Sequence, residues 1–151
     1  MTLVIRGGDV VDAGGRRRAD VLIDDGCVVA VGDGLTGDVE LDAGGCVVAP
    51  GLVDLHTHLR QPGREEAETV ETGSRAAALG GYTAVVAMPN TEPAIDDASV
   101  VREVQHLGRS ALCDVEVAGA ITVGRAGERL APMAEMAALG VRLFTDDGTG
   151  V

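Results

Sequence analysis

Gly51-Leu-Val-Asp-Leu-His-Thr-His-Leu-Arg-Gln-Pro-Gly63 is an apolar run carrying two histidines, His56 and His58, and then Arg60, before Pro62 and Gly63 turn the chain away. In an extended strand, side chains two apart share a face. His56, His58 and Arg60 therefore align, with Leu55, Thr57 and Leu59 opposed. Two imidazoles on one face at a strand's end can reach a single metal ion. Spacing alone leaves a chance pair of polar histidines equally open. The sequence on either side separates the two readings.

Downstream, strand and helix patterns alternate. Residues Glu65 to Leu79 read as a helix with Glu65, Glu66 and Glu68 crowding its first turn, where they suit the helix dipole. Gly80-Gly81 supplies the stop. Thr83 to Met88 is a continuous apolar strand ended by Pro89-Asn90. Asp96 or Asp97 can cap a helix whose apolar stripe is Val100, Val104 and Leu107; His106 falls on that helix as an exposed bystander. Val115 to Thr122 is a third strand, and Pro132 opens a helix through Met133, Met136 and Leu139, closed by Gly140. Val141 to Thr145 is a fourth strand, ending in Asp146-Asp147-Gly148.

Strands alternating with helices imply a parallel sheet. Polar residues gather at the C-terminal strand ends: His56, His58 and Arg60; Asn90; Asp146 and Asp147. In an α/β barrel the active site is built from those ends. Singly, each has a plainer role. Asp146-Asp147-Gly148 and Pro89-Asn90 could be turns, and Arg60 a surface charge. Their joint placement at successive strand ends favours a site.

Upstream, residues 1 to about 50 read as short strands with tight turns. Leu3-Val-Ile5 stops at Gly7-Gly8, and Val10-Val11 runs into Asp12-Ala-Gly-Gly15. Val21–Ile23 and Cys27–Val31 flank Asp24-Asp-Gly26, a strong hairpin signal. Val39 to Leu41 and Cys46 to Ala49 continue the pattern, and Arg16-Arg17-Arg18 reads as a solvated turn. Gly32-Asp-Gly-Leu-Thr-Gly37 matches a dinucleotide fingerprint, but the Gly-punctuated residues that follow cannot form the required helix.

The 151 residues are 46% hydrophobic and 24% charged, with one Tyr, one Phe and no Trp, so Val, Ala, Leu and Ile must build the core. The net charge of −12 argues against nucleic acid or an anionic membrane surface as partner. All twelve basic residues are arginine. That removes a P-loop lysine, a Schiff-base lysine and a carboxylated-lysine metal bridge within this segment. Cys27, Cys46 and Cys113 are far apart and read as buried, reduced thiols. No signal-peptide h-region and no run of transmembrane length is present. The expectation is a soluble, cytoplasmic protein.

Pro50-Gly-Leu-Val-Asp-Leu-His-Thr-His-Leu-Arg-Gln-Pro-Gly63, Gly80-Gly-Tyr-Thr83, Met88-Pro-Asn-Thr91 and Phe144-Thr-Asp-Asp-Gly148 resemble, in order and over essentially the whole chain, bacterial class I dihydroorotases of the amidohydrolase superfamily. The resemblance implies an α/β fold: the N-terminal part of a metal-dependent hydrolase (β/α)8 barrel, about four βα units, preceded by a small β-rich module. Residues 1–50 would belong to a composite β-sandwich and residues 51–151 to the first half of the barrel. It implies zinc-dependent, reversible cyclisation of N-carbamoyl-L-aspartate to L-dihydroorotate in pyrimidine (UMP) biosynthesis, with one or two zinc ions. His56, His58 and Asp147 would be metal ligands, Asp147 replacing the carboxylated lysine of related enzymes. His58, Arg60 and Asn90 would bind substrate, the guanidinium gripping a carboxylate through two parallel hydrogen bonds. A homodimer and association with aspartate carbamoyltransferase are the assemblies the resemblance admits. Alternatives within reach are an allantoinase or hydantoinase, and a non-catalytic dihydroorotase-like partner of the transferase.

A whole barrel takes eight units and ~250 residues, whereas about four follow residue 50. The family's two further zinc histidines and its aspartate general base would lie beyond residue 151. The expectation is an N-terminal portion of a longer enzyme, or a truncated product, inactive alone.

Overall fold

The computed structural model describes residues 1–150, which fall into two units, Met1–Pro50 and Gly51–Val151. In the first, β1 (Thr2–Asp12), β2 (Gly15–Asp24) and β3 (Cys27–Gly32) form an antiparallel meander. β4 (Val39–Asp42) and β5 (Val47–Val48) lie parallel to β1. Val10, Ala19 and Val21 make its small core, with Ile5, Ile23 and Val48 against them. The Asp24–Gly26 signal holds: Asp25 (φ +47°) and Gly26 (φ +74°) occupy both central positions of a two-residue hairpin.

Three expectations fail, the last of them in both units. Leu3–Ile5 and Val10–Val11 are not separate strands. β1 runs through Gly7 as a bulge (φ +69°) whose amide donates to the buried Asp20 carboxylate at 2.9 Å. Arg16–Arg18 lie within β2 rather than a turn, because Asp9 and Asp12 on the paired strand accept from Arg16 and Arg17. Cys27 and Cys46 are exposed and Cys113 half-buried. Cys27 opens β3, where Val28 and Val29 are exposed too, so nothing in this unit covers that strand.

In the second unit β6 (Leu52–Thr57), α1 (Val70–Leu79), β7 (Tyr82–Ala87), α2 (Ala98–Gly108), β8 (Asp114–Gly119), α3 (Met133–Ala138) and β9 (Leu143–Phe144) alternate. The four strands are parallel in the order β6-β7-β8-β9. Sequential parallel strands joined through helices are the wall of half a (β/α)8 barrel. Val85, Ala87 and Val117 pack with Val100, Val101 and Val104 of α2 and Met136 of α3, so the expected α2 stripe is its buried face. Val86, Met88 and Ala118 form a separate cluster. A cleft of about 530 Å³, lined by Leu55, Val86, Glu116, Arg142 and Leu143 among others, holds none of the predicted site residues.

Helix α1 starts at Val70, not Glu65. Thr69 is extended (φ −103°, ψ 165°) and closes a capping box with Thr72. Residues 61–69 are turns, in which Glu65 accepts from the Gly63 amide and Gln61 caps the Val70 amide at 3.0 Å. Strand β8 ends at Gly119 rather than Thr122, because the Ile121 and Thr122 amides donate to Asp146. Strand β9 is only Leu143–Phe144. Among the described residues no helix is long and apolar enough to cross a membrane.

Candidate metal centre

His56 is carried by β6, and His58 stands one residue past its end. Asp147 follows β9, at the opposite edge of the same sheet. Three strand spacings in a flat sheet would separate those ends by about 14 Å. Instead His56 Nε2 lies 3.0 Å from Asp147 Oδ1, and His58 Nδ1 lies 3.9 Å from Asp147 Oδ2. The curl of the half-barrel closes the gap. One donor atom from each of His56, His58 and Asp147 falls within 4.8 Å of the others. The imidazoles meet edge-on, centroids 5.1 Å apart.

The donor set fits a borderline cation. Two imidazoles and a carboxylate, with room for a further ligand, are the composition of many catalytic zinc sites. The Asp147 side chain is 9% exposed and that of His56 61%, so the carboxylate sits deep and the imidazoles toward solvent. His58 Nδ1 is 2.9 Å from Asn90 Oδ1. Nδ1 is also the ring nitrogen that lies near Asp147, and in the neutral tautomer that makes this bond it donates while Nε2 carries the lone pair.

Asp147 sits in a tight turn at φ +49°, a conformation costly for a non-glycine residue. Asp146, beside it, is the anchor. Its Oδ1 accepts from the Ile121 and Thr122 amides at 2.8 and 3.0 Å, and its Oδ2 from the Thr122 hydroxyl at 2.5 Å. Burial by itself raises the Asp146 carboxyl. The hydrogen bonds from Thr122 and Ile121, with the charge of Arg125, outweigh it and hold the group below the usual carboxylate range. Arg125 donates to the carbonyls of both aspartates.

Arg60 is half-buried in the loop after β6, and Asn90 lies in the loop after β7. Glu92 N donates to Pro62 O at 3.0 Å, tying the two loops together. Gly63 (φ +100°) permits this, since a Cβ there would overlap the Glu92 carbonyl oxygen. His106 is exposed on α2. Motifs and spacing did not single out Arg125, Thr122 or Gln61 as site residues. The only signal for Arg125 was its place between Gly124 and Gly127 in a long loop.

Residues 45–151 match the family model described as Dihydro-orotase-like. The chain belongs to the dihydroorotase-like family. Members similar to it include the dihydroorotase of Mycobacterium tuberculosis, 52% identical over all of this chain and 36% of that protein. The dihydroorotase of Streptomyces coelicolor is 53% identical over 96% of the chain and 34% of that protein. The chain thus spans little more than a third of these dihydroorotases. Among solved structures it resembles the L-hydantoinase (dihydropyrimidinase) of Arthrobacter aurescens, with TM-score 0.80, 26% identity, and coverage of 94% of this chain and 32% of that one. A D-hydantoinase from a Bacillus species gives TM-score 0.73 at 33% identity, covering 94% of this chain and 31% of that one. The dihydroorotase-like family assignment and the half-barrel fold therefore agree.

Proposed function

We propose that this chain supplies the first part of a dihydroorotase active site, in an enzyme that interconverts N-carbamoyl-L-aspartate and L-dihydroorotate. The observation that carries the reading is the meeting of His56, His58 and Asp147 at one end of a curled parallel sheet, beside the Arg60 and Asn90 loops. His56, His58 and Asp147 would hold zinc. Zinc there would act as a Lewis acid toward an amide carbonyl and acidify water at neutral pH.

The chain's own residues supply binding and orientation. Arg60 is the cation suited to a substrate carboxylate, and its planar fork can make two parallel hydrogen bonds. It also offsets the repulsion that a protein of net charge −12 presents to a dicarboxylate. Asn90 spends its carbonyl oxygen on His58, leaving its NH2 to donate to substrate. Cyclisation forms one amide C–N bond and releases one water; hydrolysis reverses this.

The test is zinc content together with turnover of dihydroorotate, hydantoin and allantoin by the full-length protein. The expected result is bound zinc and turnover of dihydroorotate alone. Hydantoin or allantoin as the better substrate would move the enzyme to a neighbouring activity. A zinc-free protein that co-purifies with aspartate carbamoyltransferase would make it a structural partner.

A further inference from the structure

Among the described residues of the second unit, two non-glycine residues adopt left-handed backbone conformations, Asp147 at φ +49° and Arg125 at φ +59°, and they touch each other. Arg125 Nε and Nη2 both donate to the Asp146 carbonyl at 3.1 Å, and Nη2 also donates to the Asp147 carbonyl at 3.2 Å. The same nitrogen lies 3.8 Å from Asp147 Oδ2. One guanidinium thus grips the carbonyls on both sides of the Asp147 Cα and sets a positive charge beside one carboxylate oxygen. The other oxygen is left facing His56.

The base of that grip is itself fixed. Gly124 N donates to Asp96 Oδ2 at 2.6 Å, Arg125 N to the Thr122 carbonyl at 2.9 Å, and Gly127 N to the Thr122 hydroxyl at 2.9 Å. Thr122 in turn holds Asp146. The Arg125 side chain is 22% exposed, so it sits largely within the loop after β8. We propose that Arg125 is a positioning residue for the metal centre: its planar fork holds Asp147 in the left-handed turn and orients its carboxylate toward His56 and His58. The proposal rests on the reading of these three residues as a zinc site. A lysine could supply the charge but not the rigid fork across two carbonyls and a carboxylate.

The experiment measures zinc affinity of the full-length protein by competition with a chromophoric chelator, and the visible spectrum of the cobalt(II)-substituted protein. Arg125→Ala and Arg125→Lys should each weaken zinc binding by about 10–100-fold, the usual effect of removing a group that orients a ligand. Their cobalt spectra should shift toward that of Asp147→Asn, while the melting temperature of the metal-free protein stays near the parent's. Should Arg125→Ala fail to fold, Arg125→Lys carries the test. Parental zinc affinity and cobalt spectrum in Arg125→Lys, with zinc lost in His56→Ala, would overturn the positioning role alone. Parental zinc affinity in His56→Ala would instead strike down the zinc reading beneath it.

Discussion

Asp146 spends its carboxylate on the Ile121–Thr122 segment, and Asp147 presents its own to the histidines. Adjacent residues of one type thus hold different posts, with Asp147 in a left-handed conformation. Asp146→Ala would orphan the Ile121 amide, the Thr122 amide and the Thr122 hydroxyl, at roughly 1–3 kcal/mol for each buried group left unpaired. We expect urea unfolding to show a loss at the upper end of single-site effects, with Asp146→Asn milder because one acceptor oxygen remains. An unchanged midpoint in Asp146→Ala would mean that water replaces the carboxylate. Strand-end placement pointed to Asp146 and Asp147 alike; only the dihydroorotase resemblance singled out Asp147, and neither could rank the two by burial. Nor could either find Arg125, whose partners are backbone carbonyls roughly twenty residues away and leave no trace in any spacing rule.

Elements place these residues by how they end. Helix α1 begins late because Thr69 and Thr72 cap each other, which frees residues 61–69 to form the loop after Arg60, tied to the loop after β7 through Pro62 and Glu92. Acidic residues near a helix start were a weaker signal than a pair of threonines at capping distance. Gly63→Ala would place a side chain at φ +100° and against the Glu92 carbonyl. We expect it to cost about 2 kcal/mol or more, from the strained backbone and the displaced loop together. Calorimetry on the variant checks this, and a melting temperature equal to the parent's would show that the loops part freely. In the first unit the β1–β2 hairpin is clasped by Arg17, which with the Gly14 amide holds the Asp12 carboxyl down to about 2. A carboxyl depressed on folding contributes stability that is full above its unfolded value, near 3.9, and fades as pH falls through the folded one. The hairpin's contribution should therefore persist to about pH 4 and vanish toward pH 2. An NMR titration of the Asp12 side chain reads this directly; a midpoint near 4 would mean the pair is open in solution.

At the scale of the whole chain, the β6-β7-β8-β9 order was legible because each strand is a short apolar run separated from the next by a helical pattern. The curl that joins the two edges was expected from the barrel reading as a whole and from no single residue, since twist accumulates over the sheet. The second unit leaves Leu52, Val53, Leu55 and Leu143 exposed, and β6 and β9 have no second neighbour among the described residues. Open edges and apolar surface of this kind favour association. The 151-residue polypeptide on its own should bind a hydrophobic dye and sediment as more than one species. A single 15.3 kDa species that binds no dye would show that these surfaces are tolerated in water.

His56 lies on the first strand of the second unit and Asp147 in the turn just past β9. An ion bound between them would therefore act as a clasp across a loop of roughly ninety residues, removing conformational freedom from the unfolded chain much as a covalent cross-link does. Zinc would then report on assembly as well as chemistry: no partly folded form lacking a docked β9 could hold it fully. Metal supply would set how much of the chain is folded, and chelation would open the sheet at its last strand first.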